Sequence, residues 1–526
     1  MTALSNTPLD RDSDLSRAWR MALTLVGVLT ILRLVALFAT PFELYPDEAQ
    51  YWLWSRTLDF GYFSKPPMIA WLIWATTSVG GDAEPWVRIA APCLHACTAL
   101  ILLRIARRLY DPATGLAACA LYALMPGIQL SSGVITTDAP LLFFLALTIW
   151  AYVALPGLSG RRKVLVAAGL GAALGAAFLS KYAAIYVLAG LGAHLAASKT
   201  ARSAWTPATA LAALAALLVV FAPNVLWNLN HQFATVEHTA SNANWSARSL
   251  FNIRELMEFV GSQFAVFGPI PFGVLVGGTI LLSVRRRLQP ADMLLLCLAL
   301  PPLLTVSAQA FVSRANANWA GVSYVAGAIL AAAWLVRWNA RRWLIAALAI
   351  QAVFAAAFMV CMVNPRAADA LGLSNGFKRV RGWEQGVQAI IARTREEQAR
   401  GGVTAVAMDD RFLFNVAAYY GRDYFGKNGA PPLKMWVHEA RPQNQAETEA
   451  PLNAALGRRA LIASVEGEYR SEIEQDFART SGLEIVRVRL DRNHVRRTDL
   501  FVAEGFQPVA RDPVTGLPPK PKPAAE

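Results

Sequence analysis

Long apolar runs separated by short polar intervals fill the first two thirds of the chain. A helix of about 20 apolar residues crosses the hydrocarbon core of a bilayer. Runs of that kind fall at roughly 21–40, 87–107, 113–131, 139–156, 163–180, 183–198, 205–227, 256–283, 291–311, 318–336 and 343–363, predicting about eleven transmembrane helices, thirteen at most. Basic clusters alternate with them. Arg104, Arg107 and Arg108 follow the second run, and Arg161, Arg162 and Lys163 the fourth. Lys199 and Arg202 follow the sixth, Arg285, Arg286 and Arg287 the eighth, and Arg337, Arg341 and Arg342 the tenth. All share the side of the basic segment 1–20, which predicts that this side is cytoplasmic. The run 21–40 is too long for a signal-peptide core and leads to no small-residue cleavage site. It reads as a first membrane helix.

Past Pro365 the pattern changes, closing a membrane domain at 21–365. Val403 to Met408 and Ala460 to Val465 read as short buried strands, and Leu483 to Leu490 alternates like a half-exposed one. Arg411 to Tyr420 and Ser471 to Thr480 read as helices between them. A small α/β domain is therefore expected over 366–512, on the periplasmic side because the span count is odd. A Pro- and Lys-rich tail, 513–526, is expected to be disordered.

Composition agrees with a mainly α, polytopic membrane protein. Of 526 residues 55% are hydrophobic and 16% charged, and the mean hydropathy is +0.36. The formal charge of +13 sits in short clusters between apolar runs, which argues against a nucleic-acid partner. Cys93, Cys97, Cys119, Cys297 and Cys361 follow no zinc or redox spacing and read as small buried hydrophobes. No nucleotide, metalloprotease or Ser-His-Asp pattern is present, and His231 and His238 are isolated from other ligand types. No cofactor is therefore assigned, and a divalent metal stays open.

The polar loops on the outer side carry the candidate chemistry. In Pro46-Asp47-Glu48-Ala49-Gln50, Asp47 suits a helix cap with Gln50 completing a capping box. Tyr51, Trp52, Leu53 and Trp54 then suit a helix lying in the membrane interface. Such a cap also holds a carboxylate where a lipid head group can reach it. Lys65 precedes two prolines, which stiffen and extend the chain, and its aromatic neighbours fit a snorkelling lysine. Asp138, before Ala139-Pro140, fits an N-cap. Lys181 lies between two apolar runs joined almost without a loop, so its charge calls for an anionic partner, a phosphate or a carboxylate such as Asp138. Arg248, Arg254 and Arg314 add cations suited to bidentate phosphate binding. Carboxylates and cations on one membrane face suit group transfer from a lipid phosphate. A carboxylate takes the proton of the attacking group, and cations stabilise the departing phosphate.

Four motifs, Pro46-Asp47-Glu48-Ala49-Gln50-Tyr51, Tyr62-Phe63-Ser64-Lys65-Pro66-Pro67, Thr136-Thr137-Asp138-Ala139-Pro140 and Leu179-Ser180-Lys181-Tyr182, occur in that order. Over about 20–365 the chain resembles the membrane glycosyltransferases that use polyprenyl-phosphate sugars, namely the ArnT-like and protein mannosyltransferase branch of glycosyltransferase family 39. The resemblance implies a GT-C fold with periplasmic interfacial helices and an inverting transfer at the periplasmic face of the inner membrane. The donor would be a polyprenyl-phosphate-linked sugar, and the acceptor lipid A, another envelope lipid or glycan, or a protein. Carried over, Asp47 becomes the base or acceptor-orienting carboxylate, with Lys65 and Asp138 completing the catalytic set. Glu48 and Tyr62 would lie against substrate, and Lys181 against the donor phosphate. Arg248 and Arg314 are added from loop chemistry alone. Ser64 stands where the aminoarabinose transferases have an acidic residue, and Gln50 replaces a frequent basic one. A transporter or lipid flippase would instead place its charges at mid-bilayer depth in matching halves of the chain. A non-catalytic envelope scaffold would make no use of these loops.

Overall fold

The computed structural model describes residues 8–241 and 251–519, with side chains from residue 16 onward. Contacts divide the chain into two compact units, Met1–Thr40 with Asp59–Val363, and Pro41–Leu58 with Asn364–Glu526.

The first unit is helical. Among the described residues seven helices are long and apolar enough to cross a membrane: Ser16–Ala39, Glu84–Leu109, Asp138–Gly157, Gly160–Ser180, Pro207–Asn230, Pro290–Val312 and Arg341–Val363. Each coincides with one of the eleven expected runs. Two further runs are bent pairs, Pro112–Leu124 with Pro126–Gly133 at 52° and Ile253–Val266 with Pro269–Val284 at 118°, giving up to nine spans. The run 256–283, expected as one span, is thus broken near its middle. Gly268 adopts φ 101° and Pro269 starts the next helix, so the ladder of helical hydrogen bonds breaks there. The runs at 183–198 and 318–336 become shorter apolar helices, Tyr182–Ala197 and Ser323–Arg337, joined by Met68–Gly80.

The Ala- and Gly-rich helices pack with their backbones in contact, as small residues allow in a membrane. A Cβ on Gly171 would lie 1.9 Å from the Ala213 carbonyl oxygen, and one on Gly175 2.9 Å from Val220 Cβ. This contact fixes the end of Gly160–Ser180, which leads into Lys181, beside the end of Pro207–Asn230.

The second unit is built on a five-stranded sheet of order β2-β1-β3-β5-β4. Its strands are β1 (Ala405–Met408), β2 (Leu433–Met435), β3 (Arg459–Val465), β4 (Phe477–Arg489) and β5 (Val495–Phe506). β1 runs parallel to β2 and β3, while β5 is antiparallel to β3 and β4. The three-strand expectation missed β2 and β5 and cut β4 short. Phe477 to Thr480, expected in a helix, belongs to β4, and the helix is only Arg470–Gln475. Residues 513–519, expected in the disordered tail, turn back so that Ala440 N–H donates to the Gly516 carbonyl at 2.9 Å.

The segment Pro41–Leu58, expected with the membrane domain, belongs by its contacts to this second unit. Its helix, Pro46–Trp54, packs on Arg411–Tyr420, with Trp52 edge-on to Tyr419 at 4.9 Å. Tyr51, Trp52 and Trp54 are buried rather than spread over an interface.

Candidate active site

Lys181 follows the last turn of Gly160–Ser180 in an extended conformation, and Tyr182 opens the next helix at once. Thr137, not Asp138, takes the cap position of the helix Asp138–Ala154, so the Asp138 carboxylate stands in its first turn. Lys181 Nζ donates to Asp138 Oδ1 at 2.7 Å, and Asn318 Nδ2 donates to Asp138 Oδ2 at 2.9 Å. Both carboxylate oxygens are therefore engaged. The Lys181 side chain is 25% exposed, so its ammonium keeps an accessible face. That ammonium has three donors, and Asp138 uses one.

Lys65 and Lys181 line the same cavity of about 540 Å³. Tyr182, Tyr186 and Trp319 contribute aromatic wall, and Thr305, Val306, Gln309 and Val312 come from the helix Pro290–Val312. Lys65 also acts electrostatically on Asp138. The structure thus gathers Lys65, Asp138 and Lys181, which the sequence spreads over more than a hundred positions.

A second layer, missed in the sequence, fixes the loop that carries Lys65. Trp227 Nε1 donates to Asp59 Oδ2 at 2.7 Å, and Asn224 Nδ2 donates to the Phe60 carbonyl at 2.6 Å. Thr235 Oγ1 donates to the Tyr62 carbonyl at 2.7 Å, and Tyr62 N–H to that of Lys65 at 3.1 Å. A Cβ on Gly61 would lie 2.4 Å from the Trp227 ring, so the loop runs flat against that indole. The same helix end meets the other lysine. Tyr182 hydroxyl donates to Asn224 Oδ1 at 2.9 Å and accepts from Asn228 Nδ2 at 3.0 Å. Asn224 and Asn228, polar and four apart at the end of an apolar run, were the available signal.

The remaining candidates fall elsewhere. Tyr62 is buried, its hydroxyl accepting the Asp59 N–H at 3.2 Å, and it supports the loop. Arg314 is exposed, and its carbonyl accepts from Gln309 Nε2 at 3.3 Å. Arg254 pairs with Glu258 at 2.8 Å on the surface. Arg248 lies outside the described residues. Among the described residues no three His, Cys, Asp or Glu side chains gather as metal ligands.

In the second unit, the expected capping by Asp47 and Gln50 is corrected. Pro46 is the first helical residue, so Tyr45 takes the cap position and Glu48 the third helical one. Glu48 Oε2 accepts the Tyr45 N–H at 2.8 Å, and its side chain is buried. Gln50 is buried and accepts from Asn415 Nδ2 at 3.4 Å. Asp47 is partly exposed. Three further bonds tie the segment down. Trp383 N–H donates to Glu43 Oε2 at 2.5 Å, Tyr420 hydroxyl accepts the Leu44 N–H at 2.7 Å, and Arg379 donates to the Tyr45 hydroxyl at 2.6 Å.

Residues 64–227 match the family described as dolichyl-phosphate-mannose-protein mannosyltransferase. The chain is 37% identical over 409 residues to the lipid A galacturonosyltransferase RgtD of Rhizobium johnstonii, covering 77% of this chain and 83% of that protein. It is 34% identical over 150 residues to the undecaprenyl phosphate-alpha-4-amino-4-deoxy-L-arabinose arabinosyl transferase of Pseudomonas aeruginosa (strain LESB58), 26% of this chain and 27% of the relative. In fold it is similar to ArnT from Cupriavidus metallidurans in the apo state, with TM-score 0.62 and 15% identity over 92% of this chain and 98% of that one. The undecaprenyl phosphate-bound form of that protein gives TM-score 0.60 and 16% identity over 91% and 97%.

Proposed function

Because the chain belongs to the ArnT-like GT-C superfamily of membrane glycosyltransferases that depend on polyprenyl-phosphate sugars, we propose that it transfers galacturonate to lipid A at the periplasmic face of the inner membrane. The observation that carries the donor assignment is the pair Lys65 and Lys181 on one cavity wall, with Lys181 oriented by Asp138. Sugar and acceptor rest on the identity to RgtD along most of both chains.

In the proposed reaction the acceptor oxygen bonds to the anomeric carbon, and the bond from that carbon to the phosphate oxygen breaks with inversion. The acceptor proton passes to a carboxylate, and the polyprenyl phosphate leaves with one more negative charge. Lys65 and Lys181 take the roles of stabilising that charge, since fixed cations in a poorly hydrated cavity act strongly on a developing anion. Asp47 takes the role of base on its motif resemblance, and Glu48 that of holding the helix start. A flippase would move the lipid without breaking the glycosyl bond, which the family membership argues against.

The test is incubation of the purified protein with polyprenyl-phosphate galacturonate and lipid A, with product read by mass spectrometry. Galacturonate-bearing lipid A is expected, as is its loss from a strain lacking the gene. Transfer to another acceptor while lipid A stays unmodified would remove lipid A from the proposal.

A further inference from the structure

A second charged cavity lies at the far end of the helix that Asp138 begins. Trp150 and Ala154 stand on its wall, and Ala154 is about 24 Å from Asp138 along the helix axis at 1.5 Å per residue. The cavity measures about 490 Å³ and is lined by Trp19, Arg104, Arg107, Arg108, Trp150 and Ala154. It has no residue in common with the Lys65–Lys181 cavity.

Two of the arginines are held in place. Arg108 Nε donates to the Val153 carbonyl at 3.1 Å and Nη2 to that of Ala154 at 3.5 Å, occupying carbonyls that the end of the helix leaves over. The Arg104 guanidinium lies 5.2 Å from the Trp19 ring centre. Among the described residues none of the three arginines forms an ion pair with a carboxylate. Three positive charges therefore converge on one hollow, and among the described residues no carboxylate pairs with them.

We propose that this cavity seats the phosphate head group of an anionic glycerophospholipid, in the leaflet opposite the Lys65–Lys181 cavity. Guanidinium groups match phosphate oxygens in pairs, and arginines already fixed lose little freedom on binding one. Tryptophans belong at head-group depth, with the ring body toward the acyl chains. Basic hollows between membrane helices are suited to anionic lipid head groups. Ordinary solvated charges at a membrane surface would not need a shared, tryptophan-walled cavity.

The experiment uses the full chain in nanodiscs of equal phosphatidylcholine and phosphatidylglycerol, released gently and weighed with its retained lipids by native mass spectrometry. The wild type is expected to retain phosphatidylglycerol selectively. The double variant Arg104→Gln/Arg107→Gln, which spares the Arg108 cap, is expected to lose that preference by about 30-fold. Arg104→Lys/Arg107→Lys keeps the charge and the fold but loses paired donation, so a several-fold loss is expected there too. Arg285→Gln/Arg286→Gln removes two charges of another basic cluster and is expected to change nothing. Equal losses in that control would reduce the effect to surface charge and overturn the proposal, as would unchanged retention in both arginine-pair variants. A last arm adds glycerol phosphate to phosphatidylcholine nanodiscs. Retention of glycerol phosphate at the expense of phosphatidylglycerol selectivity would assign the cavity to a soluble phosphate and overturn the lipid.

Discussion

Lys181 and Asp138 form an ion pair of 2.7 Å whose carboxylate is held from its other side by Asn318. An ammonium fixed in this way faces the cavity without searching among rotamers. Lys181→Met should therefore raise the KM for the lipid donor by roughly 10–100-fold, the scale of losing one charged hydrogen bond of about 1.5–3 kcal/mol. Lys181→Arg should recover part of it. Asp138→Asn keeps the shape but frees the ammonium, and a smaller rise is expected. Steady-state kinetics with varied donor checks all three, and an unchanged KM in Lys181→Met would remove Lys181 from the donor site.

Gly61 lies flat against Trp227, and that contact sets where Lys65 stands. Gly61→Ala would push a methyl to 2.4 Å from the ring and should cut transfer at least about 10-fold through donor KM. Adding Trp227→Leu removes the obstructing indole and should restore activity in part. The double variant decides the matter: no recovery would mean that the loss has another origin.

Asp47 and Glu48 are adjacent, yet the structure separates their surroundings. Glu48→Ala removes a buried acceptor of the Tyr45 N–H and should destabilise the second unit by about 1–2 kcal/mol. Asp47→Asn should leave stability unchanged and abolish labelled product. Urea unfolding alongside a transfer assay separates the two. Robust transfer by Asp47→Asn would end its proposed role as base.

Asp409 follows β1 directly and is almost fully buried, its carboxylate accepting from Ser464 Oγ at 2.5 Å and from the Val465 N–H at 3.1 Å. Burial pushes it up to about 7. The neighbouring Asp410 carboxyl is raised as well, chiefly by burial. The unfolded chain titrates near 4, so between about 4 and about 7 the folded unit binds more protons. Its stability should therefore fall as pH rises through that window and level off above it, by at most about 4 kcal/mol. Asp409→Asn should flatten most of the slope. Proteolysis of the full chain in urea, compared at about pH 5 and about pH 8, measures it.

Seven spans were legible because a long apolar run has few other fates in a membrane protein. The 118° turn at Gly268 was hidden inside an apolar run that hydropathy reads as continuous. Lys65, Asp138 and Lys181 announced themselves as charges at the ends of such runs. Asn318 and Trp227 did not, since a lone amide or indole at a helix end carries no signal until its partner is known, whereas Asn224 with Asn228 left a spacing that could have been read. The short edge strand β2 has only three residues, and β5 adjoins charged positions that mask its alternation. The cap at Tyr45 was misread because the helix starts at Pro46, two residues sooner than a cap at Asp47 would start it.

The helix Pro46–Trp54 packs on Arg411–Tyr420, although it follows the first membrane helix. A ribosome has more than three hundred residues still to deliver when that segment emerges. Until then the Trp52 ring has no Tyr419 to pack on. The membrane helices can insert one after another, whereas this segment must wait for the last domain to fold. Biosynthesis therefore carries its own order: a chain that stops short of residue 411 would insert its membrane helices but leave Pro46–Trp54 without the helix it packs on.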